Sequence, residues 1–412
     1  MEQIDSHWKR KAILFFVSQG ITLFGSTLVS FAIVWYVTLK TSSGTWVAAL
    51  TVCSFLPQTL ISFVSGAWAD RYSKKALILL SDAAIAVATL VLALLFPLLK
   101  NDVFVLTALL AAAALRSVGA GIQLPAVNAM TPHLVPQEHL MRINGANATL
   151  QSVIQFAAPT AAGAILSLSS LRSTLFVDIG TAAAGIGLLA CISLPTVKVP
   201  HESLPSGWSD IRSGFSSLRA NRFLSTLMLL YGAFILLSVP GGFLASLLVT
   251  RTYGGSYFYL TLTELFGFAG MASGGLLLGV WGGFPNRVKT LLFGLAGCGV
   301  LTIGLGAIHN FYLYLAIMVL MGVAITMSQT AVTTLIQERI ALDLQGRVFG
   351  LMSAVYSGFL LLGMTLFGPV ADSVSLSTLM ILTGTALTLL ALLFRFNRRF
   401  YRQSAQESNP EM

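Results

Sequence analysis

Twelve apolar runs, each about as long as a bilayer is thick, alternate with short polar loops along the 412 residues. The runs fall at about 12–39, 45–68, 76–99, 103–124, 144–168, 173–194, 223–250, 257–281, 289–308, 311–333, 347–371 and 376–394. Lipid offers no partner for backbone N–H and C=O groups, so each run is expected to form a helix. Only 9% of the residues are charged and 56% are hydrophobic, whereas a soluble domain carries about 25% charged residues. No soluble core could hide that much apolar surface. The net charge of +9 sits in loops and tails. It therefore points to the anionic inner face of a membrane and not to nucleic acid.

All but five of the 24 Lys and Arg residues lie on the side that carries both termini. Lys40, Lys100, Arg172 and Arg251 fall on the other side, and Arg116 lies within a span. The positive-inside bias makes both termini cytoplasmic. The first span follows Lys9-Arg10-Lys11 as a signal peptide would, but it is too long for a signal core and is expected to be retained. Cys53, Cys191 and Cys298 fall inside spans, so no disulfides are expected. The triplet Asn147-Ala148-Thr149 sits at the inner end of the fifth span and should be unmodified.

Six spans precede a polar loop and six follow it. This divides the chain into an N-terminal bundle (1–194), a cytoplasmic central loop (195–222), a C-terminal bundle (223–394) and a cytoplasmic tail (395–412). Within the loop, Trp208, Ile211, Phe215 and Leu218 recur at helical spacing and predict a short amphipathic helix on the membrane surface. The halves share landmarks. Gly66-Ala-Trp-Ala-Asp70-Arg71-Tyr-Ser-Lys74-Lys75 follows the second span, and Gly282-Gly-Phe-Pro-Asn286-Arg287-Val-Lys289 follows the eighth. Arg142-Ile-Asn-Gly145 precedes the fifth span and Arg347-Val-Phe-Gly350 the eleventh; Pro159 and Pro369 lie later in those spans. Two parallel six-helix repeats are a transporter architecture. The expected fold is an all-α membrane protein of twelve transmembrane helices in two pseudo-symmetric bundles.

These landmarks resemble the major facilitator superfamily over the whole chain. The most specific is Gly66-x3-Asp70-Arg71-x2-Lys74-Lys75, in which Ser73 stands where the family pattern usually has glycine. Arg116-x2-Gly119-x-Gly121 is similar to the family's helix-four arginine motif. Ala158-Pro159-x3-Gly163 resembles a degenerate antiporter motif, with alanine where Gly-Pro is usual. Trp8-Lys9-Arg10-Lys11, Gln19…Gly25-Ser26 and Val135-Pro136-x-Glu138…Arg142-x-Asn144-Gly145 resemble the macrolide-efflux branch of proton-driven drug exporters. That resemblance implies a bacterial inner-membrane protein that exports hydrophobic drugs, macrolide antibiotics among them, in exchange for protons. Export of a siderophore or another bulky metabolite is the alternative it leaves, and a nutrient symporter would share the fold. Some relatives of this kind work with an ATP-binding-cassette-type partner, of which these residues carry no sign.

The residues admit their own chemistry. Asp70 and Arg71, with Lys74, Lys75 and the degraded copy at Asn286, Arg287 and Lys289, can pair or meet helix termini in one conformation and separate in another. That reading makes them a latch; ordinary positive-inside anchoring is the other reading. A guanidinium within a span costs at least about 2.5–3.5 kcal/mol, so Arg116 either faces a cavity and supports proton coupling or snorkels to the interface. Glu264 lies about 10 Å into the eighth span at 1.5 Å per residue, where a carboxyl can carry a proton; the alternative is a headgroup-level glutamate paired with Arg251. Asp178 is a weaker candidate for coupling, and an interfacial pair with Arg172 is the other reading. Asp82 and Asp372 read as boundary charges near span ends.

Asn144, Asn147, Gln151, Gln155, Pro159 and Gly163 recur every three or four residues and share one face of the fifth helix. They read as a polar wall of the substrate path or as interhelical glue. Glu264, Gly267, Met271, Gly275 and Gly279 share a face of the eighth, where glycines would allow close packing and a sliding contact with the fifth. Gln19, Ser26, Gln58, Gln329, Thr330 and Thr333 add scattered polar anchors. A largely apolar cavity with few anchors suits a bulky amphiphile. Other classes fit poorly. Val288 stands where a phosphate-binding loop needs glycine. His7, His133, His139, His201 and His309 have no catalytic or metal partner at motif spacing, so neither an enzyme, a metal nor a cofactor is expected. The expected partners are a small hydrophobic substrate, protons and the lipid bilayer, without nucleic acid.

Overall fold

The computed structural model describes residues 8–192, 222–340 and 342–396. The expected surface helix near 208–218 and the tail beyond 396 lie outside the described residues. The chain is an all-α membrane protein. The first six helices are α1 (Trp8–Thr41), α2 (Gly44–Arg71), α3 (Lys74–Leu95), α4 (Asp102–Leu134), α5 (Leu140–Leu168) and α6 (Leu171–Cys191). Then come α7 (Arg222–Gly242), α8 (Ala245–Thr252), α9 (Tyr257–Trp281), α10 (Arg287–Ala307), α11 (Phe311–Arg339), α12 (Leu342–Ser373) and α13 (Leu376–Phe396). Two compact units result. Among the described residues, one holds 8–37 and 49–192; the other holds 38–48, 222–340 and 342–396.

Short polar side chains start the helices. Ser73, Asn101, Ser170, Ser256, Asn286 and Asn310 each accept a first-turn backbone N–H of α3, α4, α6, α9, α10 and α11, filling positions that a helix leaves unpaired. This explains Ser73. Its φ of −60° is extended, so the turn needs a cap and not a residue with positive φ. At the other end of a span, Gly282 (φ 75°) closes α9 and Gly283 (φ 78°) follows it. A left-handed conformation of that kind strains any residue with a Cβ.

Three helices differ from the hydropathy reading. The seventh span is broken. After Pro240-Gly241-Gly242, the N–H groups of Phe243 and Leu244 both reach the Val239 carbonyl, at 2.9 and 3.2 Å, and α8 starts afresh. α4 runs on to Leu134, well past the expected end near 124, and carries Pro125 and Pro132 inside it. Eleven spans among the described residues are long and apolar enough to cross a membrane. α5, with 29 residues, has the length, but its amides dilute its apolarity.

Close packing inside the second unit uses Gly270, Gly274 and Gly322. A Cβ on Gly270 would strike the Val319 backbone, one on Gly274 would lie 2.9 Å from the Val323 Cα, and one on Gly322 would lie 2.5 Å from the Gly267 carbonyl. α9 and α11 therefore meet backbone to backbone. Among the described residues nothing lies within 4 Å of a Cβ on Gly275 or Gly279, which share a face with Glu264. Gly270→Leu is accordingly expected to cost about 1–3 kcal/mol or more through overpacking, read as a lowered unfolding midpoint in detergent. Gly275→Leu should leave the midpoint unchanged.

Candidate functional site

The centre of the first unit holds charge where the surrounding helices are apolar. Arg116 lies roughly midway along α4 and is only 6% exposed, and Asp178 on α6 is 2% exposed. The two form an ion pair through Arg116 Nη1 and Asp178 Oδ2. The same Nη1 donates to Thr89 Oγ1 of α3, whose hydroxyl also approaches Asp178 Oδ2 at 3.0 Å. Arg116 Nη2 donates to the Ser26 carbonyl (3.2 Å) and hydroxyl (3.0 Å) of α1. Four helices thus converge on one guanidinium. A buried pair offsets its desolvation only when its remaining donors and acceptors are satisfied, and Thr89 and Ser26 supply that. Gly25 lets α1 come close: a Cβ there would collide with Thr181 Oγ1 and lie 3.0 Å from Asp178 Oδ1.

This arrangement corrects two alternatives. Arg116 does not snorkel to an interface. Asp178 does not pair with Arg172, whose Nε donates to the Ala93 carbonyl at 3.1 Å and whose guanidinium lies over Phe176. A third correction concerns Asp82 of α3, which is no boundary charge. It is 4% exposed, and its Oδ1 accepts from Gln123 Nε2 at 2.6 Å. Gln123 Nε2 also lies 3.4 Å from Gln19 Oε1. Sequence reasoning passed over Thr89 and Gln123 and misplaced Asp82. Seven-residue spacing marks them: Asp82 and Thr89 share a face of α3, and Arg116 and Gln123 share a face of α4.

The amide stripe of α5 is open. Asn144, Gln151 and Gln155 are exposed and Asn147 is half-buried, while Pro159 and Gly163 are buried. Among the described residues, none of the four amide side chains hydrogen-bonds to another helix, so the stripe does not glue the first unit together. An apolar groove of about 770 Å³ runs along α3 and α4 past Leu80, Val87, Val91, Leu115 and Ile122, but neither Arg116, Asp82 nor Asp178 lines it.

In the second unit Glu264 of α9 is half-buried, and among the described residues no hydrogen bond or ion pair reaches it. The alternative partner Arg251 is engaged elsewhere. It donates to Asp372 Oδ1 (2.9 Å) and to the carbonyls of Ala371 (2.6 Å) and Ser42 (3.0 Å). Tyr314 of α11 is fully buried, and its hydroxyl has no partner among the described residues. Phe311 meets Tyr253, Tyr259 and Tyr314, and Tyr253 meets Tyr314, at centroid separations of 4.6–6.3 Å.

Asp372 is a tether. It accepts from Ser43 Oγ (2.8 Å), Gly44 N (2.7 Å), Thr45 N (2.9 Å) and Thr45 Oγ1 (2.7 Å), besides Arg251. It therefore caps the start of α2 from the end of α12, inside the second unit. Hydrogen bonds to a charged group contribute about 1.5–3 kcal/mol each. Asp372→Ala is expected to raise hydrogen exchange at the Gly44 and Thr45 amides at least tenfold.

The charged turns that follow the second and eighth spans bind helix ends. Lys75 Nζ donates to the Ala190 and Ile192 carbonyls at 2.9 and 2.7 Å, where the dipole at the end of α6 favours a cation. Lys74 is buried and Gly66 has open space beside it; Asp70 and Arg71 end α2. Asn286 caps α10 through Val288 N. Arg287 bridges the Gly282 carbonyl (2.7 Å) and Glu338 (3.2 Å), and Lys289 lies over the Phe284 ring.

Comparison with known proteins decides the family. The model of the Major Facilitator Superfamily matches residues 15–360. The chain belongs to the Major Facilitator Superfamily. Its members are transporters, so this facilitator is a transporter and not an enzyme. It is 28% identical over 390 residues to macrolide efflux protein A of Streptococcus pyogenes, covering 94% of this chain and 96% of that one. It is 29% identical over 315 residues to macrolide efflux protein A of Enterococcus faecalis, covering 76% and 96%. The crystal structure of a mutant of the nucleoside transporter NupG superposes on this facilitator with a TM-score of 0.73 at 13% identity, covering 94% and 98%. That likeness shows the fold alone.

Proposed function

We propose that this facilitator exports a bulky hydrophobic compound of the macrolide class from the bacterial cytoplasm by alternating access, driven by inward proton flow, with both termini cytoplasmic. The observation that carries this reading is the likeness to macrolide efflux protein A along nearly the whole length of both chains. The site is compatible with it. Glu264 has no cation or hydrogen-bond donor holding it ionised among the described residues, so it can take a proton as substrate leaves and release it as substrate binds. Arg116 and Asp178 support this by locking α1, α3, α4 and α6 together. Gln19, Asn147, Gln151 and Gln155 are polar anchors on the substrate path, and Pro159 and Gly163 shape α5 beside them. Gly66, Asp70, Arg71, Lys74, Lys75, Asn286, Arg287 and Lys289 form the latch that holds one conformation.

The test is accumulation of labelled erythromycin in pump-deficient bacteria expressing the chain, with and without a protonophore. Low accumulation that rises to the empty-vector level on uncoupling is expected. Accumulation equal to empty vector in both conditions, with the protein present in the membrane, would remove the macrolide assignment.

A further inference from the structure

Asp82 is a buried carboxyl to which the mechanism above gives no task. It lies eight residues into α3 from Lys74, about 12 Å at 1.5 Å per residue. Gln123 holds its Oδ1. Its Oδ2 is buried and has no hydrogen-bond partner among the described residues, and the same is true of Gln19 Nε2 beside Gln123. Among the described residues the charged group that acts on it is Asp178 on α6; Arg116 on α4 is held two turns away at Thr89, and α1 presents Gln19, which is uncharged. Lys74 and Lys75 stand two turns away on its own helix, and Lys75 is engaged by the carbonyls at the end of α6.

The charge balance of this interior decides the matter. Arg116 is neutralised by Asp178, and its remaining donors go to Thr89 and Ser26. An ionised Asp82 would be a second negative charge with, among the described residues, no cation of its own and one bare oxygen, an arrangement that buried sites avoid by taking a proton. A protonated Asp82 is neutral, keeps the Gln123 hydrogen bond on Oδ1 and carries its hydrogen on Oδ2. Arg116 and Gln123 project from one face of α4, so any rotation of that helix moves the guanidinium and the amide together relative to Asp82.

We propose that Asp82 is a reversible proton-binding carboxyl of the first unit, and that proton coupling in this transporter runs through it as well as through Glu264. The step is simple: the carboxylate takes one proton from hydronium on one side of the membrane, leaving water, and returns it to water as hydronium when a cation or a water-filled path reaches Oδ2. Its part in coupling rests on the antiport reading above; its protonation does not.

Infrared difference spectra of the purified full-length protein in lipid, taken across steps of pH, test the protonation directly. In a Glu264→Gln background the protein should show a pH-dependent, deuterium-sensitive acid carbonyl band that adding Asp82→Asn removes and adding Asp82→Glu keeps at a shifted frequency. A Glu264→Gln protein without such a band, or one that retains it after Asp82→Asn, would overturn the proposal. The coupling arm uses erythromycin efflux from vesicles under an imposed pH gradient. Asp82→Asn should lower it at least tenfold while leaving gradient-free erythromycin exchange intact. Unaltered gradient-driven efflux in Asp82→Asn would overturn the coupling role. A wild type that moves no erythromycin would instead count against the macrolide reading, and the infrared result would still decide Asp82.

Discussion

Arg116→Met is expected to destabilise the protein by about 3–5 kcal/mol, because it leaves Asp178 without its cation in the bundle interior. The loss comes from the carboxylate left behind more than from the arginine removed. Asp178 is 2% exposed, and among the described residues only the Thr89 hydroxyl remains to hydrogen-bond its carboxylate. The double variant Arg116→Met/Asp178→Leu should therefore recover most of the loss, since replacing both members of a buried pair by apolar residues is often neutral. Unfolding midpoints in detergent measure both. A single variant that melts with the wild type would show that Asp178 does not depend on the guanidinium. Recovery in the double variant need not restore transport. That difference separates the part the pair plays in holding α1, α3, α4 and α6 together from any part it plays in coupling.

Glu264→Gln is expected to behave in the opposite way. The substitution keeps the shape of the side chain and breaks no ion pair, because no cation reaches Glu264 among the described residues. The protein should fold and melt like the wild type. What it loses is a group that can gain and lose a proton. Gradient-driven macrolide efflux should fall at least tenfold, to the level of vesicles without protein, while gradient-free exchange survives. Full drug/proton exchange in the variant would remove Glu264 from the mechanism. The two variants together divide the buried charges by role: one residue whose removal is felt in stability, and one whose removal is felt only in coupling.

The contrast also shows what the sequence made legible. Hydropathy reports contact with lipid, so helix positions along the chain could be read within a few residues at most ends. It failed where lipid contact and helicity part company. α4 runs past Gln123, Pro125 and Thr131 because those residues turn inward or are accommodated within the bundle, while a hydropathy reading ends the span there. The seventh span breaks at a Pro-Gly-Gly that hydropathy does not register. Partner choice was less legible. Gly270/Gly274 and Gly275/Gly279 share the same Gly-x3-Gly spacing, and only the position of α11 selects the first pair. Arg116 had to have a partner, since an arginine in a membrane interior cannot stand alone, but its choice of Asp178 depends on α1 approaching closely at Gly25. Asp82 was legible in principle, through its seven-residue spacing from Thr89.

The proposed exchange of macrolide for protons can be followed with the purified protein in sealed vesicles holding a trapped pH indicator. Adding erythromycin to one side without any imposed gradient should move protons in the direction opposite to the drug, at a rate that Glu264→Gln abolishes. Erythromycin crossing the membrane with no proton movement in the wild type would contradict the account.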